Sequence, residues 1–223
     1  MFTPTIFSPE INPKIERLIL EDSKIHHLRK VLRMKDFDSI KISNGTGQLF
    51  FGHLLKDSVE INTQKCFQRK GEITIFVPYL REKNRFRFMI EKLVELNVWR
   101  IFIGKTDNTQ NTKVDIERIN SWAISALEQS GTPFFPEIET TETIDYSIFD
   151  TCFDITGSAL KKDSSKISTF AIGPEGGWTP QELSNFKYKF KISDFSLRTD
   201  TAAISAVSLM MQNKIWKINQ SLK

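Results

Sequence analysis

From residue 73 onward, short apolar runs alternate with stretches whose apolar residues recur every three or four positions. That alternation of strand and helix leaves few solutions. Each strand needs helical cover on its faces, so the strands join a mostly parallel sheet and the class is α/β. The predicted strands are residues 73–77, 98–103, 152–156, 169–172 and 191–197. Phe86, Ile90, Leu93 and Asn97 mark one helix, with Met89 and Leu96 beside that stripe. Ile116, Ile119, Ala123, Ala126 and Leu127 mark a second, closed by Gly131 and Pro133. Thr179-Pro180-Gln181-Glu182 has the layout of a capping box with proline at the first helical position. Residues 201–217 form the last helix, with Ile204, Val207, Met211, Ile215 and Ile218 inward.

The first third reads differently. Residues 2–7, 15–20, 39–43, 48–55 and 59–65 are short strand candidates, and Asn44-Gly45-Thr46-Gly47 supplies turn chemistry. Asp22 and Ser23 are expected to cap a helix that turns Ile25, Leu28 and Leu32 inward. Several short strands with one helix imply a small β-rich barrel or sandwich. The polar stretch 68–72 is the candidate linker, giving one domain over 1–70 and another over 73–223. A length of 223 residues admits two domains as readily as one. With 39% apolar and 26% charged residues, wholesale disorder is excluded, and 18 phenylalanines provide bulk for cores.

Several function classes find no support. No apolar run approaches the length of a membrane span, and the opening MFTPTIFSPEINPK lacks the basic-then-apolar layout of a secretory signal. Cys66 and Cys152 match no metal spacing and are expected as reduced core residues of a cytoplasmic protein. The three histidines are too scattered for a metal centre, so no metal is expected. There is no GxSxG, HExxH or Cys–His pairing of the kind hydrolases use. The formal charge of +4 permits an RNA partner without demanding one.

Two segments carry the chemistry. Ala171-Ile172-Gly173-Pro174-Glu175-Gly176-Gly177-Trp178-Thr179-Pro180 joins a strand to a capped helix. Glycines there let the backbone approach a ligand, and open α/β sheets bind ligands at the carboxyl ends of their strands. The loop has no lysine or arginine, and its one charge is Glu175. A pyrophosphate would be poorly served. A nucleoside without phosphates fits better, such as S-adenosylmethionine, whose sulfonium and ammonium tolerate a carboxylate. The second segment, Leu197-Arg198-Thr199-Asp200-Thr201-Ala202-Ala203, also leaves a strand and opens a helix. A structural turn and a plain helix cap are the simpler readings of each loop alone. Together they suggest two strand-end loops facing one pocket. Glu128-Gln129-Ser130-Gly131 ends a helix, and Gln129 is a candidate RNA contact. Basic residues cluster as Arg29, Lys30, Arg33 and Lys35, and again as Arg81, Lys83, Arg85 and Arg87. Such clusters neutralise phosphates or simply solvate a helix face.

These segments resemble the bacterial ribosomal RNA small subunit methyltransferase E family, of the SPOUT class of knotted methyltransferases. The resemblance rests on His27-Leu28-Arg29-Lys30-Val31-Leu32-Arg33, on Glu91 to Val98, on Glu128-Gln129-Ser130-Gly131 with Pro136, on Ile172 to Gly177 and on Leu197 to Ala202. It implies a PUA-like RNA-binding domain, then a methyltransferase domain with a deep trefoil knot. It also implies a homodimer that uses S-adenosylmethionine to methylate N3 of a uridine in 16S ribosomal RNA. Cofactor contacts are implied from Ile172, Gly173, Pro174, Glu175, Gly176 and Gly177, from Leu197, Arg198, Thr199, Thr201 and Ala202, and from Thr156 and Gly157. The chain departs from the family where Asn97 replaces glycine, Thr132 replaces arginine, Ile192-Ser193-Asp194-Phe195 replaces a Leu-Gly-x-Arg run and Asp200 replaces glutamate.

Arg198 is expected to stabilise charge on the uracil oxygens as N3 loses its proton. Asp200 is a candidate proton acceptor or a helix cap, and Glu175 orders its own loop or meets the cofactor amine. The apolar face of the last helix serves either a dimer or the core. Two other readings stay open at this point: an RNA-binding or ribosome-assembly protein that has lost catalysis, and a knotted methyltransferase with a transfer-RNA target.

Overall fold

The computed structural model describes residues 3–69, 71–109, 115–160 and 167–221. The chain divides into two compact units, Met1–Arg69 with Ile124–Phe135, and Lys70–Ala123 with Pro136–Lys223.

In the first unit, β1 (Thr5–Phe7), β2 (Arg17–Ile19), β3 (Ser39–Ser43), β4 (Gln48–Leu54) and β5 (Ser58–Cys66) form a sheet in the order β1-β3-β4-β5-β2. Only the β1–β3 pair is parallel. Alternate residues Ile40 and Ile42 of β3 pack with Phe50, Leu54, Val59 and Leu28 in one core. The turn before β4 forms because the Asn44 side-chain oxygen accepts the N–H groups of Thr46 (2.9 Å) and Gln48 (3.0 Å). Between β2 and β3, α1 (Asp22–His26) runs into a π-helical turn, His27–Val31. The expected cap is absent: Glu21 stands at the N-cap position without a side-chain bond, and Asp22 is already helical. The wider π turn also rotates Leu32 outward, to 42% exposure, while Leu28 stays buried. Residues 124–135 join this unit through specific bonds. Glu128 Oε1 accepts the Phe7 N–H (2.9 Å), the Ser43 hydroxyl donates to the Thr132 carbonyl (3.1 Å), and Phe135 stacks on Phe7 at 5.2 Å. Burial pushes the Glu128 carboxyl up, against the lowering effect of the Phe7 N–H. Phe2 lies outside the described residues.

The second unit contains β6 (Thr74–Pro78), α2 (Lys83–Glu95), β7 (Arg100–Lys105), α3 (Ile116–Ser130, whose latter half passes into the first unit), β8 (Glu137–Thr143), β9 (Thr151–Ala159), β10 (Thr169–Ile172), α4 (Pro180–Asn185), β11 (Tyr188–Lys191) and α5 (Thr199–Ser221). Its six strands are all parallel, in the order β11-β9-β10-β6-β7-β8. Ile75 and Val77 on one face of β6, with Ile73 just before it, join a core with Phe86, Leu93, Trp122 and Val207 from α2, α3 and α5. The other face presents Phe76 to a smaller cluster with Phe102, Phe149 and Phe186. The sheet is therefore covered on both faces, as parallel sheets require. α2 ends at Asn97, which holds a left-handed φ of 64°, a conformation asparagine tolerates better than most residues.

Three expectations are corrected, and one strand is added. The last strand is residues 188–191, and the predicted strand over 191–197 is mostly a loop. β8 is the added strand, and its run of glutamate and threonine carries no apolar alternation to mark it in the sequence. Cys66 is exposed at the end of β5, while Cys152 is buried with its thiol pushed up to about 12, chiefly by burial. Along α5 the buried stripe is Ala203, Ala206, Val207 and Met210, with Ile204 and Met211 only half-buried. Small residues let helices approach closely, so the alanines rather than the isoleucine take the inner line. Ile215 and Ile218 lie outside the residues whose side chains are described. Among the described residues no helix is long and apolar enough to cross a membrane, and none of the His, Cys, Asp and Glu groups would hold a metal ion.

β9 continues to Ala159, and Gly157 sits within it against β11. A Cβ there would lie 2.6 Å from the Phe190 backbone. Gly157→Val is therefore expected to pry β11 from β9 and to cost roughly 1–3 kcal/mol. Thermal unfolding measures it, and an unchanged midpoint would contradict this packing role.

Candidate functional site

A cavity of about 250 Å³ lies at the carboxyl end of β10, beside the middle of β9. Phe153, Asp154 and Ile155 of β9 form one wall, and residues 172–178 after β10 another. Ile192, Ser193 and residues 195–197 after β11, with Thr199 and Ala202 of α5, complete it. Two carboxylates, Asp154 and Glu175, line it, and no lysine or arginine among the described residues does.

The loop after β10 is tightly specified. The Gly177 N–H closes a turn on the Pro174 carbonyl (2.9 Å), with φ of 73° at Gly177. Glycine adopts that angle without the steric penalty of a side chain. At Gly173 a Cβ would meet the Trp178 ring 2.8 Å away. The Trp178 indole N–H reaches the Phe153 carbonyl (3.3 Å), tying the loop to β9. The capping box forms as expected: Thr179 Oγ1 accepts the Glu182 N–H (3.2 Å) and Glu182 Oε2 accepts the Thr179 N–H (2.8 Å). Glu182 also accepts the Asp107 N–H (3.0 Å), and Asn108 donates to the Gly177 carbonyl (2.9 Å). The segment after β7 thus braces this loop. Nothing in the sequence marks it, because its contribution is purely tertiary.

The two expected loops do meet. The Thr199 hydroxyl donates to the Gly173 carbonyl (3.0 Å), joining the start of α5 to the turn after β10. A second tie is ionic. Arg85, in the first turn of α2, donates to both oxygens of Asp200 (2.5 and 3.1 Å) and to Glu175. The Asp200 side chain is only 12% exposed. Burial alone would raise its carboxyl, but the bonds from Arg85 and from the Thr201 N–H win and hold it below the usual range. The same pairing raises the Arg85 guanidinium further above its ordinary value.

The remaining candidates divide. Ile172, Gly173, Pro174, Glu175, Gly176, Gly177, Leu197, Thr199 and Ala202 line the cavity; Arg198 and Thr201 do not, being exposed at the start of α5. Thr156 and Gly157 do not line it either. The strand runs past them, so the β9 contribution comes from Phe153 to Ile155 instead. Of the expected RNA contacts, Lys30, Arg33, Arg81, Lys83 and Gln129 are exposed. Arg85 is committed to its two acids. Arg29 is committed to the Met34 carbonyl (3.1 Å), the Leu55 carbonyl (2.7 Å) and Asp36. Residue type alone does not separate a free cation from one engaged in the fold.

Comparison with known proteins agrees with this architecture. An RNA methyltransferase domain family matches residues 68–211, and an RNA methyltransferase PUA domain family matches residues 20–62. A protein named ribosomal RNA small subunit methyltransferase E from Rickettsia conorii is 29% identical, over 88% of this chain and 89% of that one. A protein of the same name from Buchnera aphidicola subsp. Schizaphis graminum is also 29% identical, over 86% and 88%. The crystal structure of a ribosomal RNA small subunit methyltransferase E from Neisseria gonorrhoeae, bound to S-adenosyl methionine, has TM-score 0.77 at 24% identity, over 95% and 98%. A methyltransferase structure from Legionella pneumophila with the same bound cofactor has TM-score 0.80 at 23% identity, over 95% and 98%. With the catalytic-domain family spanning well over half its length, the chain belongs to the RNA methyltransferase family, alongside proteins named ribosomal RNA small subunit methyltransferase E.

Proposed function

We propose that this protein is an S-adenosylmethionine-dependent methyltransferase that modifies N3 of a uridine in small-subunit (16S) ribosomal RNA, acting in the cytoplasm as a homodimer. The carrying observation is the cavity itself, at the carboxyl end of β10 beside the middle of its parallel neighbour β9, lined by Asp154 and Glu175 without a cationic side chain among the described residues. That charge pattern suits a sulfonium and an ammonium and opposes a phosphorylated ligand. The solved neighbours from Neisseria gonorrhoeae and Legionella pneumophila hold this cofactor on the same fold. We assign RNA binding to a PUA-like domain over residues 1–70 and methyl transfer to the domain over 73–223. We extend the reading to a trefoil knot in that second domain, which the family resemblance implies.

When bound, the cofactor supplies a methyl group already activated on sulfur, so the protein's task is alignment. Residues 172–177 with Leu197, Thr199 and Ala202 would hold it, largely through backbone groups. Asp154 and Glu175 are the carboxylates at hand for its ammonium. Uracil N3 must lose its proton to act as a nucleophile. Arg198, an exposed cation between the wall residues Leu197 and Thr199, stabilises the charge that then develops on the uracil oxygens. Asp200 is a poor proton acceptor, because Arg85 favours its charged form. Its part is to anchor α5 against α2 and the glycine loop.

Calorimetry on the purified protein is expected to show one S-adenosylmethionine site per chain. Mass mapping of 16S ribosomal RNA from a deletion strain is expected to show loss of one N3-methyluridine, restored by the purified protein. No cofactor binding, or an unchanged RNA, would defeat the proposal. Arg198→Ala is expected to lower kcat about 100-fold while leaving cofactor affinity within about twofold. Arg85→Ala, which strands two carboxylates, is expected to destabilise the protein by roughly 1.5–3 kcal/mol. Because the folded Asp200 carboxyl is depressed, that difference is fully present at neutral pH and shrinks only as pH falls below about 4. Paired melts of wild type and variant across pH measure it.

A further inference from the structure

The turn after β11 carries the most exposed large apolar side chain among the described residues, Phe195, at 81% exposure. This ring is not remote from the chemistry. It lines the same cavity as the glycine loop, with Ile155 of β9 (48% exposed) also on that cavity's wall. Nor is it on a slack segment. The Phe195 N–H donates to the Ser193 hydroxyl (3.0 Å), and Lys191 Nζ pairs with Asp194 (2.7 Å) across the same turn. An exposed phenylalanine forgoes about 1.5–3 kcal/mol of burial. A turn that braces it at a cavity mouth presents it to a partner that stacks. Three residues on, Arg198 is exposed, with no carboxylate partner among the described residues. An aromatic ring and an exposed cation on one short segment match the face and the anionic oxygens of a nucleotide. An enzyme that modifies a base edge must take that base out of its stack, which leaves both faces in need of a contact.

We propose that Phe195 is the stacking platform for an unstacked nucleobase of the RNA substrate as it enters the cavity. The inference rests on the methyltransferase reading above and deepens it by naming the substrate subsite. It makes Phe195 a substrate-contact residue distinct from the cofactor cradle.

The test compares wild type, Phe195→Ala and Phe195→Trp in methyl transfer to small ribosomal subunits from the deletion strain. Calorimetry with S-adenosylmethionine and light scattering run alongside. Stacking on one base predicts that Phe195→Ala raises KM for the subunit roughly 5- to 100-fold. Cofactor affinity stays within about twofold and molecular mass is unchanged, and Phe195→Trp restores KM. An unchanged KM overturns the proposal. So does a parallel loss of cofactor affinity, which would give the ring to the adenine. A fall in molecular mass overturns it too, because the ring would then belong to contact with a second copy. If wild type itself binds no S-adenosylmethionine, the underlying reading fails first. A wild type that turns over beside an insensitive Phe195→Ala sinks this inference alone.

Discussion

One guanidinium answers two carboxylates that approach from different segments. Glu175 belongs to the glycine loop and Asp200 to the first turn of α5, and Arg85 bonds both from α2. Without it the two acids would repel across a partly desolvated gap, and the loops they sit on would have no electrostatic reason to converge. With it, the neutral Thr199–Gly173 hydrogen bond can form between the same two loops. The cavity is thus set by the fold before any ligand arrives, which is the condition for efficient alignment of reactants. The same ionic tie decides which charged groups remain for chemistry. It removes Asp200 as a base and draws on Glu175, leaving Asp154 in the wall and Arg198 outside it.

How much of this could be read from the residues depends on whether the cause was local. The glycine loop and the Thr179–Glu182 cap were legible because turn and cap chemistry act over four or five residues. The strand–helix alternation after residue 73 was legible because apolar period is a local pattern. The position of β11 was not. Ile192 and Leu197 look like strand residues, yet β11 pairs with β9 only over 188–191, and the following residues turn to the cavity. In α5, Val207 is buried as its spacing implies, but Ala203, Ala206 and Met210 complete the inner line in place of Ile204 and Met211, because close approach favours small residues there. Arg85 looked like a phosphate contact because its acidic partners are 90 and 115 positions away.

In the first unit, the segment after α1 shows the same division between structural and available charge. Arg29 is spent on the Met34 and Leu55 carbonyls and on Asp36, and the Phe37 N–H bonds the Leu54 carbonyl (2.7 Å). Those bonds hold Arg33 and Phe37 at left-handed φ values of 56° and 69°. Such angles cost side-chain-bearing residues of order 1 kcal/mol each and persist where neighbours over-determine them. The outcome is a stiff loop on which Lys30, Arg33 and the ring of Phe37 stand in solvent.

Both outer strands of the six-stranded sheet are irregular. β11 is four residues long, carries Lys189 and Lys191, and shifts register against β9 between Lys189 and Phe190. β8 is rich in glutamate and threonine and shifts against β7 between Ile103 and Lys105. Short, kinked, charged margins make poor templates for backbone pairing by another chain. Lateral growth of the six-stranded sheet is therefore discouraged at either end.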